Sequence, residues 1–252
     1  MMRNQKALVT GAGKRIGRAM ALSLGQRGFD VAVHFSNSHD EANEVVDLLH
    51  AMGVKAAAIQ ADLLIEAETQ TLVARAAAAL GGPLTLLVNN ASIFENDALG
   101  TVTRDSWDRH IESNLRAPVV LTQAFAAQVP ELGFDSQKEP VATGLVINMV
   151  DQRVNNLTAD FTSYTIAKMG LWAFTQTAAR GLAPRIRVNA IGPGPTLQGA
   201  HQTPQDFARE RAETALGRGA NTSDITAALD YFIDAISVTG QLICTDGGQH
   251  LV

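Results

Sequence analysis

The chain has a single cysteine, Cys244, so no internal disulfide can form, and its six histidines are scattered without the spacing of a structural zinc site. No metal is expected, and a reducing compartment fits. Basic patches with interleaved aromatics are absent. The formal net charge is −5 with only 18% charged residues, so nucleic acid is not an expected partner. The first apolar run, after Lys6, is closed by Lys14 and Arg15, too soon for a signal or a membrane span. The expectation is therefore a cytoplasmic protein with no membrane partner. No Pro/Gly/Ser-rich linker, internal repeat or low-complexity tract divides the 252 residues, which points to one domain over 1–252.

What is present is alternation. Short apolar runs at Ala7–Thr10, Val31–Phe35, Lys55–Gln60, Leu84–Asn89, Leu145–Met149, Ile186–Ala190 and Leu242–Thr245 read as strands. Between them lie helical patterns at Ile16–Arg27, Asp40–Met52, Glu66–Leu80, Arg104–Val129, Tyr164–Leu182, Pro204–Leu216 and Ser223–Ile233. Parallel neighbours need long crossovers, so this order predicts an α/β fold: a single doubly wound, Rossmann-like domain with a seven-stranded parallel sheet and helices on both faces. Gly133–Glu139 reads as a surface loop.

The first strand runs into Thr10-Gly11-Ala12-Gly13-Lys14-Arg15-Ile16-Gly17 and then a helix. Glycines at such a junction allow a tight turn and bring backbone N–H groups close to a pyrophosphate. The second strand ends His34-Phe35-Ser36-Asn37, with none of the carboxylates that usually meet a free ribose 2′-hydroxyl. Asp30 starts that strand at the wrong end, and Asp40 belongs to the next helix. Lys14, His34, Ser36 and Asn37 are possible donors to a 2′-phosphate, which favours NADPH over NADH.

The stretch from Asn148 to Lys168 carries the expected chemistry. Tyr164 and Lys168 are four apart on a helical pattern and share a face. An ammonium beside a phenol should lower the phenol's pKa toward the working pH, as a proton donor in carbonyl or imine reduction requires. Asp151 stands thirteen residues before the tyrosine.

With these pieces in order, namely Thr10-Gly11 to Gly17, Ala61-Asp62, Asn89-Asn90-Ala91-Ser92, Asn114, Tyr164-x-x-x-Lys168 and Pro193-Gly194, the chain resembles the short-chain dehydrogenase/reductase family over its whole length. Where most members have a second glycine this chain has Arg15, and where most have a catalytic serine it has Asp151. Both departures resemble the pteridine reductase branch, as do Asn89 to Phe94 and Asn148 to Asp151, and the stretch Val238 to Leu251 is similar to bacterial dihydromonapterin reductases.

The resemblance implies catalytic roles for Asp151, Tyr164 and Lys168, with Asn114 holding a relay water. It implies cofactor contacts from Gly11, Lys14, Arg15, Ile16 and Gly17; from His34, Phe35, Ser36 and Asn37; and from Ala61, Asp62 and Leu63, with Asp62 facing the adenine. Asn90, Ala91 and Ser92 would lie along the ribose, Tyr164 and Lys168 at the nicotinamide end, and Pro193, Gly194 and Thr196 over the nicotinamide. Substrate contacts would come from Arg15, Ser92, Phe94, Asp151 and Tyr164. A homotetramer packed through Arg104–Val129 and Tyr164–Leu182 is also implied.

The two departures have a physical reading of their own. A serine hydroxyl donates to a ketone oxygen, whereas an ionised aspartate there would repel its developing charge. An aspartate suits a ring with N–H and amino donors and can relay a proton to a ring nitrogen. Phe94 would stack on a flat heterocycle, and Arg15 would face a phosphate and the substrate. The expected function is thus NADPH-dependent reduction of a small pterin-like substrate. Three alternatives stay open: a carbonyl reductase of oxo-acyl, sugar or quinone substrates; a non-catalytic NADP(H) sensor; and a plainer role for Phe94 as core, Arg15 as a surface helix residue and Asp151 as a helix cap.

If the missing carboxylate sets cofactor choice, NADPH should bind more tightly than NADH, and Ser36→Asp should narrow or reverse the preference. Titrating both cofactors into parent and variant checks this, and equal affinities in the parent would refute it.

Overall fold

The computed structural model describes residues 5–199 and 202–252. The first four residues and part of the Gln198–Gln205 segment thus lie outside the described residues. The strands are β1 (Lys6–Val9), β2 (Asp30–Phe35), β3 (Ala56–Gln60), β4 (Leu86–Asn89), β5 (Gly133–Phe134), β6 (Pro140–Val141), β7 (Gly144–Met149), β8 (Ile186–Pro193) and β9 (Leu242–Thr245). The helices are α1 (Arg15–Gln26), α2 (His39–Ala51), α3 (Glu66–Leu80), α4 (Arg104–Ile111), α5 (Ala117–Gln128), α6 (Thr162–Leu182), α7 (Pro204–Ala212) and α8 (Thr222–Asp234).

Seven strands form one sheet in the order β3-β2-β1-β4-β7-β8-β9, and every pairing in it is parallel. The chain winds outward from β1 to β3, then restarts on the other side of β1 with β4. The strand order therefore reverses between β1 and β4, the place where doubly wound sheets open a crevice at their carboxyl ends.

Alternation along each strand feeds two cores. In β1, Ala7 and Val9 join a cluster with Met20 and Leu24 of α1, Val45 and Leu49 of α2, and Ile225 and Phe232 of α8. Leu8 points the other way, to Leu72 of α3, Leu121 and Phe125 of α5, and Ala178 of α6. A strand buried on both faces reads as a continuous apolar run, which is why the sequence shows runs rather than polar alternation. Each large aliphatic side chain so enclosed contributes about 1.5–3 kcal/mol.

Two expectations need correction. The single helix expected over Arg104–Val129 is interrupted by a π-helical turn, Glu112–Arg116, between α4 and α5. Pro118 has no N–H to give to the carbonyl four residues back, that of Asn114, and the Ala117 N–H reaches back to Glu112 instead. The stretch expected as a loop, Gly133–Glu139, contains β5 and leads into β6, a two-stranded antiparallel ribbon.

The strand ends are tied by His34. Its Nδ1 accepts from the Gly11 N–H at 3.0 Å, which places the ring proton on Nε2, donated to the Ala61 carbonyl at 3.0 Å. His34 is 2% exposed, so it is a strut between β1, β2 and β3 rather than the phosphate donor expected from sequence. Asp30 sits at the opposite end of β2, where it accepts from the Lys55 N–H and faces Lys6.

Burial lowers the His34 pKa from 6.5 to about 4. Between those values the unfolded chain binds a proton that the folded chain refuses, so stability should fall as pH drops from about 6.5 to about 4, by about 3 kcal/mol in all. Denaturant unfolding of the parent and of His34→Gln across that range checks it. Equal pH dependence in the two proteins would refute the assignment.

Candidate active site

Strand β7 and helix α6 deliver the three expected catalytic side chains to one place. Beneath them, Asn89 Nδ2 donates to Asn148 Oδ1 (2.8 Å) and Asn148 Nδ2 donates to Thr175 Oγ1 (2.9 Å), locking β4, β7 and α6 together. Past the end of β7, Asp151 caps the short turn Gln152–Val154: its Oδ1 accepts from the Arg153 N–H at 2.8 Å. Its other oxygen, Oδ2, accepts from the Tyr164 hydroxyl at 2.8 Å. Asp151 thus caps the turn with one oxygen and holds the Tyr164 hydroxyl with the other. Lys168, 2% exposed, donates from Nζ to the Met149 carbonyl at 2.7 Å.

The electrostatics correct the expected direction for the tyrosine. Burial, and then the neighbouring Asp151, hold the Tyr164 phenol well above its ordinary pKa, with Arg153 and the Ser92 hydroxyl opposing. Lys168 Nζ lies 5.6 Å from the centroid of the Tyr164 ring. Burial lowers Lys168 to about 8 against the pull of Asp151, and burial raises Asp151 despite the bonds from Arg153 and Tyr164. Tyr164 is therefore a neutral O–H donor whose acceptor is a carboxylate with heightened proton affinity.

Phe94 lies against this pair. Its ring stacks on Phe161 (4.3 Å between centroids, 10° between planes) and meets Tyr164 edge to face at 4.7 Å, while Arg153 covers Phe161 at 5.0 Å. Phe94 is 51% exposed, so it is not a core residue, yet one of its faces is already taken by Phe161. Sequence reasoning missed Phe161 and Arg153. Asn114 is fully buried, and its amide is spent on Ile93, accepting from N–H and donating to C=O, each at 2.8 Å.

The cofactor-side residues gather along the carboxyl ends of the strands. Gly11 has φ +62, and a Cβ on Gly17 would lie 2.2 Å from the Gly11 carbonyl oxygen, so this cradle needs glycine at both positions. Ile16 packs on the core beside them. Asn90 Nδ2 donates to the carbonyls of Thr10 and Gly11, and the Asn90 and Ala91 amides donate to Thr10 Oγ1, so the Asn90 side chain braces the glycine loop rather than standing free for a ribose. Phe35 is buried, whereas Ser36 and Asn37 lie toward solvent. Ala61 and Leu63 are buried; Asp62 turns the chain into α3, accepting from Leu64 N–H and donating its own N–H to Glu68. Pro193 ends β8, Gly194 packs on Asp246, and Thr196 donates back to the Gly194 carbonyl.

The two basic residues of the glycine loop are both engaged. Lys14 pairs with Glu41 at 2.6 Å, so a carboxylate not anticipated from sequence reaches the region of the expected 2′-phosphate and is neutralised there. Arg15, with φ 53, donates to the carbonyls of Leu197 and Gln198 at 3.0 and 2.8 Å, joining the glycine loop to the segment after β8. Arg15 is an exposed residue at the first position of α1, as its plainer reading had it, and it bridges two segments as well.

A second buried polar cluster lies behind Tyr164, and sequence reasoning missed it. Asp97, Ser163 and His110 bond to one another below the surface, with Ser106 at the edge. Burial works to raise the Asp97 carboxyl, yet the Ser163 hydroxyl and amide and the Ser106 hydroxyl hold it below the ordinary carboxylate range. Burial lowers His110 against Asp97 and Glu95. The available signals were the position of Ser163 directly before Tyr164 and of His110 one helical turn before Asn114.

The family model described as short chain dehydrogenase matches residues 5–207. Among curated relatives, the 3-oxoacyl-[acyl-carrier-protein] reductase FabG of Staphylococcus epidermidis is 30% identical over 98% of this chain and 100% of its own length. Among solved structures, FolM alternative dihydrofolate reductase 1 from Brucella suis, in complex with NADP, is 42% identical with a TM-score of 0.92, covering 100% of this chain and 97% of that one. The corresponding protein from Brucella canis, complexed with NADP, is 41% identical with a TM-score of 0.89, covering 98% and 95%.

Because Lys14 is drawn to Glu41 across an exposed gap, Glu41→Gln should free it for a 2′-phosphate. NADPH should then bind roughly two- to five-fold more tightly, the range an exposed pair is worth, with NADH unchanged. Equal tightening of both cofactors, or none, would count against Lys14 as the phosphate ligand.

Proposed function

Because the chain belongs to the short-chain dehydrogenase family, we propose that it is an NADPH-dependent oxidoreductase that reduces the C=N bond of a dihydropterin-type substrate. The observation that carries the reading is the bond from the Tyr164 hydroxyl to Asp151 Oδ2 at 2.8 Å, at a position where a ketone reductase would present a neutral hydroxyl. The likeness to the NADP-complexed Brucella FolM reductases supports it.

The cofactor fits the residues present. The Gly11 and Gly17 cradle admits backbone close to a pyrophosphate, and Glu41, the carboxylate that reaches the glycine loop from α2, is paired with Lys14. NADPH supplies the hydride when bound. The protein's part is the proton. A C=N bond that takes hydride at carbon needs a proton at nitrogen; the neutral Tyr164 hydroxyl, held beforehand by Asp151, would give it, and solvent would return a proton to the phenolate afterwards. The Asn114 carbonyl, spared by Pro118, is the group that would hold a relay water, since its side chain is spent on Ile93. The open face of Phe94 takes the flat ring.

The likeness to FabG favours a second reading, reduction of an oxo-acyl ketone. Against it, an ionised Asp151 beside a developing alkoxide raises the barrier that a hydroxyl would lower.

Comparing NADPH oxidation with dihydropterins, dihydrofolate and simple ketones separates the two. Asp151→Ser should depress dihydropterin reduction by roughly 10²–10⁴ while NADPH affinity holds, and should raise activity on ketones. Phe94→Ala should weaken dihydropterin binding by about 1–3 kcal/mol. A parent that reduces ketones but no dihydropterin, or two variants as active on dihydropterin as the parent, would overturn the pterin reading.

A further inference from the structure

Helix α6 begins without a cap of its own. Its N-cap residue, Phe161, sits at φ 58 and offers no side-chain acceptor to the first turn. The orphan N–H groups of that turn are met instead from another segment. Asp97, in the loop between β4 and α4, accepts the Thr162 N–H on its carbonyl at 3.1 Å and the Ser163 N–H on Oδ1 at 3.0 Å. Its second carboxylate oxygen accepts from the hydroxyls of Ser163 and, at 3.0 Å, Ser106. The carboxylate also lies at the positive end of the helix dipole.

Hydrogen directions in the cluster are fixed by one amide. Glu95 N–H donates to His110 Nε2 at 3.1 Å, so the ring proton is on Nδ1 and goes to Ser163 Oγ at 2.7 Å. Ser163 must then donate its own hydrogen to Asp97. The series His110 to Ser163 to Asp97 runs one way and spends the serine hydrogen on the carboxylate. With Ser163 and His110 fully buried and Asp97 4% exposed, the trio is closed to substrate and is not a nucleophilic triad. Its bonds end at the residue before Tyr164, and His110 meets the Tyr164 ring edge to face at 5.9 Å. They also pin the loop that carries Phe94: Ile93 is held by Asn114, Glu95 by His110, and Asp97 by α6.

We infer that Asp97, Ser163 and His110 are positioning residues that set the Tyr164 hydroxyl and the Phe94 ring relative to one another, capping α6 from the loop that bears the aromatic. The inference rests on Tyr164 acting as the proton donor and not on the identity of the substrate.

The test is a double-mutant cycle read with whichever substrate the parent turns over, so a parent active only on ketones sinks the pterin reading and leaves this test intact. Ser163→Ala should lower kcat roughly 10- to 100-fold, the range for a misplaced reacting group, with the Kd for NADPH within about twofold of the parent. Ser163→Thr should restore most of the loss. On a Tyr164→Phe background, Ser163→Ala should cost less than about twofold further in single-turnover hydride transfer, because the group it positions is gone. His110→Phe, which keeps a ring in the cavity and removes both bonds, should repeat the pattern and serves if Ser163→Ala does not fold. A loss of equal size on both backgrounds, a parallel weakening of NADPH binding, an unchanged kcat, failure of both variants to fold, or a parent with no turnover would each overturn the inference.

Discussion

A phenol and an ammonium are buried past the end of β7 beside a half-buried carboxylate, and an isolated charge at the depth of the ammonium would cost several kcal/mol. The arrangement is sustained because each group has a partner: Tyr164 gives its hydrogen to Asp151, Asp151 takes a second bond from the Arg153 amide, and Lys168 gives one to the Met149 carbonyl. The last two of those partners are backbone groups of β7 and the turn that follows it. The trio therefore needs β7 fixed in the middle of the sheet, and the Asn89, Asn148 and Thr175 bonds fix it. The sheet order places β7 next to β4, so the loop after β4, with Ser92 and Phe94, faces the same opening.

Much of this was legible because the information is local. Apolar runs of strand length between helical patterns gave all seven strands of the main sheet within a few residues, and Asp151, Tyr164 and Lys168 fall in one stretch whose helical spacing puts the last two on one face. What was not legible depends on partners distant in sequence. His34 reads as a surface donor until the Gly11 amide and the Ala61 carbonyl are seen on either side of its ring. Glu41 carries no sign that it will reach Lys14, and Asp97 none that it will cap α6 from outside. The direction of the Tyr164 shift failed for a different reason. Spacing identifies a neighbour such as Lys168 but says nothing of how much water is excluded, and here burial and Asp151 outweigh Arg153 and the Ser92 hydroxyl. The π turn was readable in principle from Pro118, since a proline denies a bond to the carbonyl four residues back.

Two residues other than glycine adopt left-handed backbone at the edges of the site, Arg15 (φ 53) and Phe161 (φ 58). Each such conformation costs on the order of 1–3 kcal/mol and persists only where neighbours over-determine it. Arg15 is held by two carbonyls after β8, and Phe161 between the Phe94 ring and the Arg153 guanidinium. Arg15 joins the glycine loop to a segment whose strand, β8, does not pair with β1, and Phe161 sits beside the Ala98–Asp160 bridge that ties the loop after β4 to the loop after β7. The strain is thus located where loops from different strands must agree on the width of the opening.

The same geometry bears on why an acidic residue is tolerated beside the tyrosine. A carboxylate that only repelled negative charge would handicap any reduction that builds charge on oxygen. Asp151 instead has its proton affinity raised by burial and its orientation fixed through both oxygens, so it can support a hydrogen handed through Tyr164 to an atom that gains basicity as hydride arrives. Nitrogen in a C=N bond gains basicity in that way, and it finishes as an N–H that the carboxylate can accept from. The proposed substrate class therefore leaves Asp151 an N–H to accept from once hydride and proton have both arrived.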